Sequence, residues 1–339
     1  MKSLLLIVAS LCLLGLSSCS HSKQDYTFVV CGDNRVAPED TANDPSTTNT
    51  YQLNRMFDEI SKLNPEPKFL IFNGDLVMGY CDGDTTRFEH ELKEWVKLYK
   101  ASPLSKTKIQ LVALPGNHET CEKIGSGKIA VEANEKIFVR VMKDYIMNNN
   151  GPHATGLIPG TDSLMTDQSR LSYSFDFGGD HFVILDSDPV ARESRVPNHW
   201  LNKDLANARK DGARHIFAFV HKPAFESHFP SETAMEEFKS NRDSLWACME
   251  KYNSDVLFCS HFHVWDTLQP HKGKTWQIVV GNAGAPMVKD WLPYYYGFTI
   301  VKVSDKVDIT SMGRDCDKDH YTAPTPDKVT MIRSHLIID

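Results

Sequence analysis

The chain has 339 residues and a formal net charge of −7, with 41% hydrophobic and 24% charged residues. That length is ample for one large core or two small ones. A negative balance without a basic cluster excludes a nucleic-acid backbone as a standing partner, so an anionic substrate must be drawn in by a local charge such as a metal.

Residues 1–18, MKSLLLIVASLCLLGLSS, set Lys2 before an apolar run that is too short to span a bilayer and that ends in small residues. This is the pattern of a secretory signal. Leu16-Ser17-Ser18-Cys19 is similar to a bacterial lipobox, which implies that Cys19 becomes a lipidated first residue; the alternative is an ordinary signal peptide with Cys19 incidental. The expectation is a lipoprotein signal over 1–18, a lipidated tether over 19–26 and a single domain over 27–339. The protein would then be anchored in the cell envelope, facing the periplasm. No linker, repeat or low-complexity tract divides the rest. Of eight cysteines, Cys31 and Cys259 fall in apolar strand runs and read as buried thiols. Cys81 and Cys121 follow two strands, and either a disulfide between them or two free thiols is open.

The elements then alternate. TFVVCGD reads as a buried strand, and TYQLNRMFDEISKL sets Leu53, Met56, Phe57, Ile60 and Leu63 on one helical face. KFLIFNGD is a second strand. The next helix opens at Thr86-x-x-Glu89, a capping box, and KIQLVALPGNHE is a third strand. Another amphipathic helix covers 131–147. LSYSFDFGGDHFVILDS reads as a hairpin through Gly178-Gly179-Asp180. Then come a helix around NHWLNKDLANARK, strand HIFAFVHKP, a helix near 241–252, strand DVLFCSHFH, and a strand-rich tail that ends in a second hairpin. This order predicts an α/β fold, a four-layer α/β/β/α sandwich of two mixed sheets with flanking helices. Polar connections at 36–48, 149–170 and 224–240 are expected to be surface loops around a site.

Five strand ends carry metal-ligand types: Asp33, Asp75, Asn117, His221, and His261 with His263. Ligands gather beyond the carboxyl ends of strands in open α/β sheets, so residues spread along the chain can converge there. Each piece alone is weak, because Gly-Asp is a common turn and Asn117 can cap one. His-x-His is stronger, since residues two apart on an extended chain face one side. Asp186 and Asp188 read as a strand end and Pro turn, His228 as a solvated loop histidine, and Trp291 with Tyr294 to Tyr296 as sheet packing or a substrate wall.

In this order GDNR, NGDL, GNHE, VHKP and SHFH resemble the motifs of the calcineurin-like metallophosphoesterases, whose relatives include the purple acid phosphatases. The resemblance implies a metal-dependent phosphoester hydrolase with two ions, Mn, Fe or Zn. Asp75 would bridge them, Asp33 and His263 would complete the first site, and Asn117, His221 and His261 the second. Such ions hold phosphoryl oxygens and acidify a bridging water for in-line attack. His118 would protonate the leaving oxygen or hold the phosphate, with Glu119 orienting its ring.

The family places a histidine two residues after the first aspartate, where this chain has Arg35. The tyrosine that compensates in purple acid phosphatases would fall at Met78, with Tyr80 out of register. The first site is therefore expected to be one ligand short, and its metal weak or absent. Arg35 either contacts the substrate phosphate, which is the favoured role, or replaces part of the first metal's charge, or pairs with a carboxylate at 39–44. Phosphodiester hydrolysis and a non-catalytic metal-binding lipoprotein are the competing functions. Small-molecule or lipid phosphoesters are the expected substrate class.

Overall fold

The computed structural model describes residues 23–125, 127–226, 234–287, 294–317, 320–326 and 328–339. Residues 1–18, Cys19, His228 and Trp291 lie outside them. The first half contains β1 (Tyr26–Cys31), α1 (Thr50–Ser61), β2 (Phe69–Asn73), α2 (Thr85–Ala101), β3 (Gln110–Leu114), α3 (Asn117–Thr120), β4 (Cys121–Ile124), β5 (Gly127–Ala130) and α4 (Glu132–Val141). There follow β6 (Tyr173–Phe177), β7 (Asp180–Leu185), α5 (Asn198–Lys210), β8 (Ile216–Val220), α6 (Lys239–Lys251), β9 (Val256–Cys259), β10 (Trp265–Leu268), β11 (Trp276–Val280), β12 (Tyr295–Val303), β13 (Val307–Asp315) and β14 (Met331–Ile338).

Two six-stranded mixed sheets result, in the orders β14-β13-β12-β1-β2-β3 and β10-β11-β9-β8-β7-β6. Strands β1, β2 and β3 run parallel, as do β7, β8, β9 and β11. Strand alternation sorts the side chains into layers. Phe28, Val30, Phe69, Ile71, Phe217 and Phe219 face the opposite sheet. Val29, Cys31, Leu70 and Phe72 face α1, α2 and α4, whereas Ile216, Ala218 and Val220 face α5 and α6. The four-layer sandwich expected from the sequence is the fold observed.

Some local expectations are corrected. Asp84, not Thr86, caps α2, accepting from the backbone of Thr86 and Arg87. Glu89 instead pairs with Lys93 and Arg140. The helix expected over 131–147 stops at Val141 and continues as a 3-10 turn, Lys143–Tyr145. The tail adds β14 to its hairpin, and a small hairpin, β4–β5, follows α3. Cys81 and Cys121 are free thiols, so the disulfide is not formed. By contrast, Tyr295 and Tyr296 take the packing role expected of them, buried inside β12 with their hydroxyls on Ser311 and the Ala285 carbonyl.

Candidate metal centre

β1, β2, β3, β8 and β9 end on one side of the sandwich, and their exits meet. Asp33, Asp75 and His263 form one group of potential ligands and Asp75, His221 and His261 another. Within each group the donor atoms lie within 4.8 Å of one another. Asp75 belongs to both. Its Oδ1 is 3.2 Å from His221 Nε2, and its Oδ2 is 3.7 Å from His118 Nε2 and 3.6 Å from Arg35 Nε.

The turns are tight. Asp33, Asp75, Tyr80 and His261 all take left-handed backbone angles, with φ of 60°, 51°, 50° and 69°, a conformation costly for residues other than glycine and concentrated at functional sites. Gly116 is required by close approach, because a Cβ there would strike Asp75 Oδ1 and the His221 ring.

The donors fit a bound cation. His221 Nδ1 lies 3.0 Å from the Asn73 carbonyl, so it carries the proton and turns the Nε2 lone pair to Asp75 Oδ1 and to His261 Nδ1, 3.3 Å away. His263 Nδ1 is likewise bonded to the Pro286 carbonyl, leaving Nε2 facing Asp33 Oδ1 at 3.7 Å. Asn117 donates its amide to Tyr80 Oη, so its Oδ1 is an acceptor; that atom and Asp33 Oδ1 are buried without a hydrogen-bond partner. Acceptors turned toward one another in a buried space repel unless a cation lies between them. Carboxylate, amide and imidazole together suit transition metals and zinc.

The electrostatics agree. Burial, then the neighbouring Asp75 charge, raises Asp33 well above the carboxylate range. Burial would raise Asp75 too, but the His118 and His221 rings beside it hold it well below that range. Burial pushes His261 well down and, with Arg35, takes His263 to about 3, so both rings are neutral and able to ligate.

One sequence expectation changes, and one of the three alternatives for Arg35 falls away. Glu119 does not orient His118: it accepts the backbone N–H groups of Asp75, Leu76, Val77 and Gly116 at 2.7–3.2 Å. The His118 ring is held instead by the Met78 carbonyl at Nδ1, and burial, then Arg35, lowers its pKa well below the usual value. Arg35 does not pair with the loop at 39–44. Its guanidinium turns inward, with Nη2 3.4 Å from His263 Nε2 and Nη1 3.2 Å from the Val36 carbonyl.

Sequence reasoning missed three neighbours. Tyr80 reaches Asn117 although it is out of register in the chain. Lys222, next to His221, forms a buried ion pair with Asp188. Asp186 accepts the backbone N–H of Asp188, which is the turn role expected of it. Lys128, on β5, lies in the field of Asp75. Only the Lys-Pro pair after His221 carried a signal in sequence, as a loop.

The profile of the calcineurin-like phosphoesterase family matches residues 26–265. Purple acid phosphatase 23 of Arabidopsis thaliana is 27% identical over 111 residues, 33% of this chain and 23% of that protein. Serine/threonine-protein phosphatase CPPED1 of Mus musculus is 26% identical over 211 residues, 60% of this chain and 56% of that protein. The chain thus spans less than two thirds of the length of these relatives. The purple acid phosphatase PPD1 from yellow lupin seeds shares the fold, with a TM-score of 0.58 at 18% identity over 86% of this chain and 52% of that one.

Proposed function

This chain belongs to the calcineurin-like phosphoesterase family, and from that premise we propose that it hydrolyses phosphomonoesters at a two-metal centre in the cell envelope. The observation that carries the reading is the sharing of Asp75 between two sets of buried donors that come from five strand ends. Asp33, Asp75 and His263 would hold one ion, and Asp75, Asn117, His221 and His261 the other, with Mn, Fe or Zn suited to the donor set. When bound, such ions supply Lewis acidity to phosphoryl oxygens and acidify the attacking water.

The chain's own groups do the rest. His118, tied through Nδ1 to the Met78 carbonyl, presents Nε2 beside Asp75 Oδ2. With its pKa lowered that nitrogen carries a lone pair, so the ring would first take up a proton there, such as the one the attacking water sheds, and then pass it to the leaving oxygen. Arg35 adds a fixed cation on the first-site side. Its Nε has no hydrogen-bond partner, and a guanidinium fork there can hold a phosphoryl oxygen. That charge also competes with a metal for Asp75 and His263, so the first site is the weaker one. The signal-like run over 1–18 and Cys19 support a lipid-anchored, periplasm-facing location.

The test is turnover of p-nitrophenyl phosphate and bis-p-nitrophenyl phosphate by Mn-loaded protein, with Asn117→Ala as the comparison. The monoester should be preferred, and the variant, which removes a ligand of the second site, should lose at least about 100-fold, since losing a mere supporting partner of a ligand already costs about 10- to 100-fold. Preference for the diester would replace the monoesterase reading. No turnover of either by folded, metal-loaded protein would sink it.

A further inference from the structure

The β4–β5 hairpin supplies none of the candidate ligands, yet it stands beside them. Its register sets Lys123 directly opposite Lys128. The two Nζ atoms lie over the Tyr80 ring, 5.1 and 5.6 Å from its centroid. That ring is 4.1 Å from the His118 ring, centroid to centroid, and its hydroxyl accepts from Asn117.

Like charges directly opposite across an antiparallel pair are destabilising. Attraction to one aromatic face offsets only part of that. Among the described residues neither lysine's ammonium group makes an ion pair or a hydrogen bond. The adjacent acid, Glu122, is buried and accepts from Asn134 Nδ2 at 3.0 Å. Lys128 is close enough to the centre to feel Asp75, Asp188, Lys222 and Arg35, and its own charge reaches His118 and His261. In a chain of net charge −7, two unpaired ammonium groups against a catalytic face are not background. They make a place for negative charge, on the side of the centre where His118 meets the leaving oxygen.

Resting on the proposed phosphoester hydrolysis, we infer that Lys123 and Lys128 bind a second anionic group of the substrate, carried by the alcohol that leaves. The preferred substrates are then phosphomonoesters whose alcohol bears a further phosphate or carboxylate. Arg35, on the first-site side, is left to the phosphoryl group itself.

Calorimetric titration of the metal-loaded protein with propylphosphonate and 1,3-propanediylbisphosphonate tests this. The bisphosphonate should bind about tenfold more tightly, the contribution expected of one charge-assisted contact pair. In the variant carrying Lys123→Met and Lys128→Met the gap should close to about twofold, the methionine stems still covering Tyr80. Loss of the repulsion keeps the melting temperature of that variant at or above wild type, which separates a binding effect from misfolding; Lys128→Gln alone serves as a milder second variant. A gap that survives the double substitution, or that wild type never shows, overturns the inference. Binding needs no turnover, so a protein that shows the gap but hydrolyses nothing counts against the hydrolase reading alone. One that hydrolyses p-nitrophenyl phosphate without the gap counts against the lysine pair alone.

Discussion

Glu119 is fully buried and accepts four backbone N–H groups, three from Asp75 to Val77 and one from Gly116. One side chain thereby ties the turn after β2 to the turn after β3, and with it the spacing of Asp75 from Asn117. Burial, then the charge of Asp75, pushes Glu119 up to about 8 despite those donors; a cation on Asp75 relieves the second cause. Replacing the residue leaves buried donors unpaired at roughly 1–3 kcal/mol each, less whatever water recovers. Glu119→Ala is therefore expected to lose about 3–5 kcal/mol in urea unfolding, and Glu119→Gln, which keeps one acceptor oxygen, less. Metal affinity should fall with both. An alanine variant as stable as wild type would mean that the donors are not committed to this carboxylate.

At the scale of elements, His181 on β7 joins Asp176 on β6, at 2.7 Å, to Asp204 on α5, at 2.9 Å. Burial would lower its pKa, but hydrogen bonds to Asp176 and Asp204 more than offset this and raise it to about 9. A histidine whose folded pKa exceeds its unfolded value stabilises the fold fully below the unfolded pKa, about 6.5. That contribution is lost as pH rises through the folded pKa. Stability should therefore fall between about pH 6.5 and 9, by about 1–2 kcal/mol once the exposure of Asp176 is discounted. His181→Gln should flatten the profile over that window. A slope unchanged in the variant would assign it to other groups. Elements also mark where sequence reading thinned. The long strands and amphipathic helices announced themselves by period, but β4, β5 and β14 are short or weakly apolar. Their pairing partners, not their composition, make them strands.

For the whole molecule, the contact between sheets is aromatic. Phe28 meets Phe182, Phe217, Phe219 and Phe258 across the interface, with centroids 5.2–6.2 Å apart. That packing fixes one sheet against the other, and so sets Asp33 and Asp75 from the first sheet against His221, His261 and His263 from the second. Strand β1 begins at Tyr26, seven residues after Cys19, so a lipid on Cys19 would hold the sandwich within about 25 Å of the bilayer even with the tether fully extended. On the envelope proposal the full chain should sediment with membranes and Cys19→Ser should release it. A variant that still sediments would leave no role for lipidation.

The candidate ligand types, their order and their positions at strand exits were legible in the chain, because strand period and Gly-Asp or Gly-Asn turns are local properties. The four-layer fold followed from the same local signals. Tertiary structure alone decided what each polar group faces. It turned Glu119 from His118 to the backbone, drew Tyr80 onto Asn117, and brought Arg35 to His263, 228 residues away. It also set two lysines of a weak hairpin over one aromatic ring. Such pairings depend on side-chain direction across elements that the chain separates widely, and no local period encodes that.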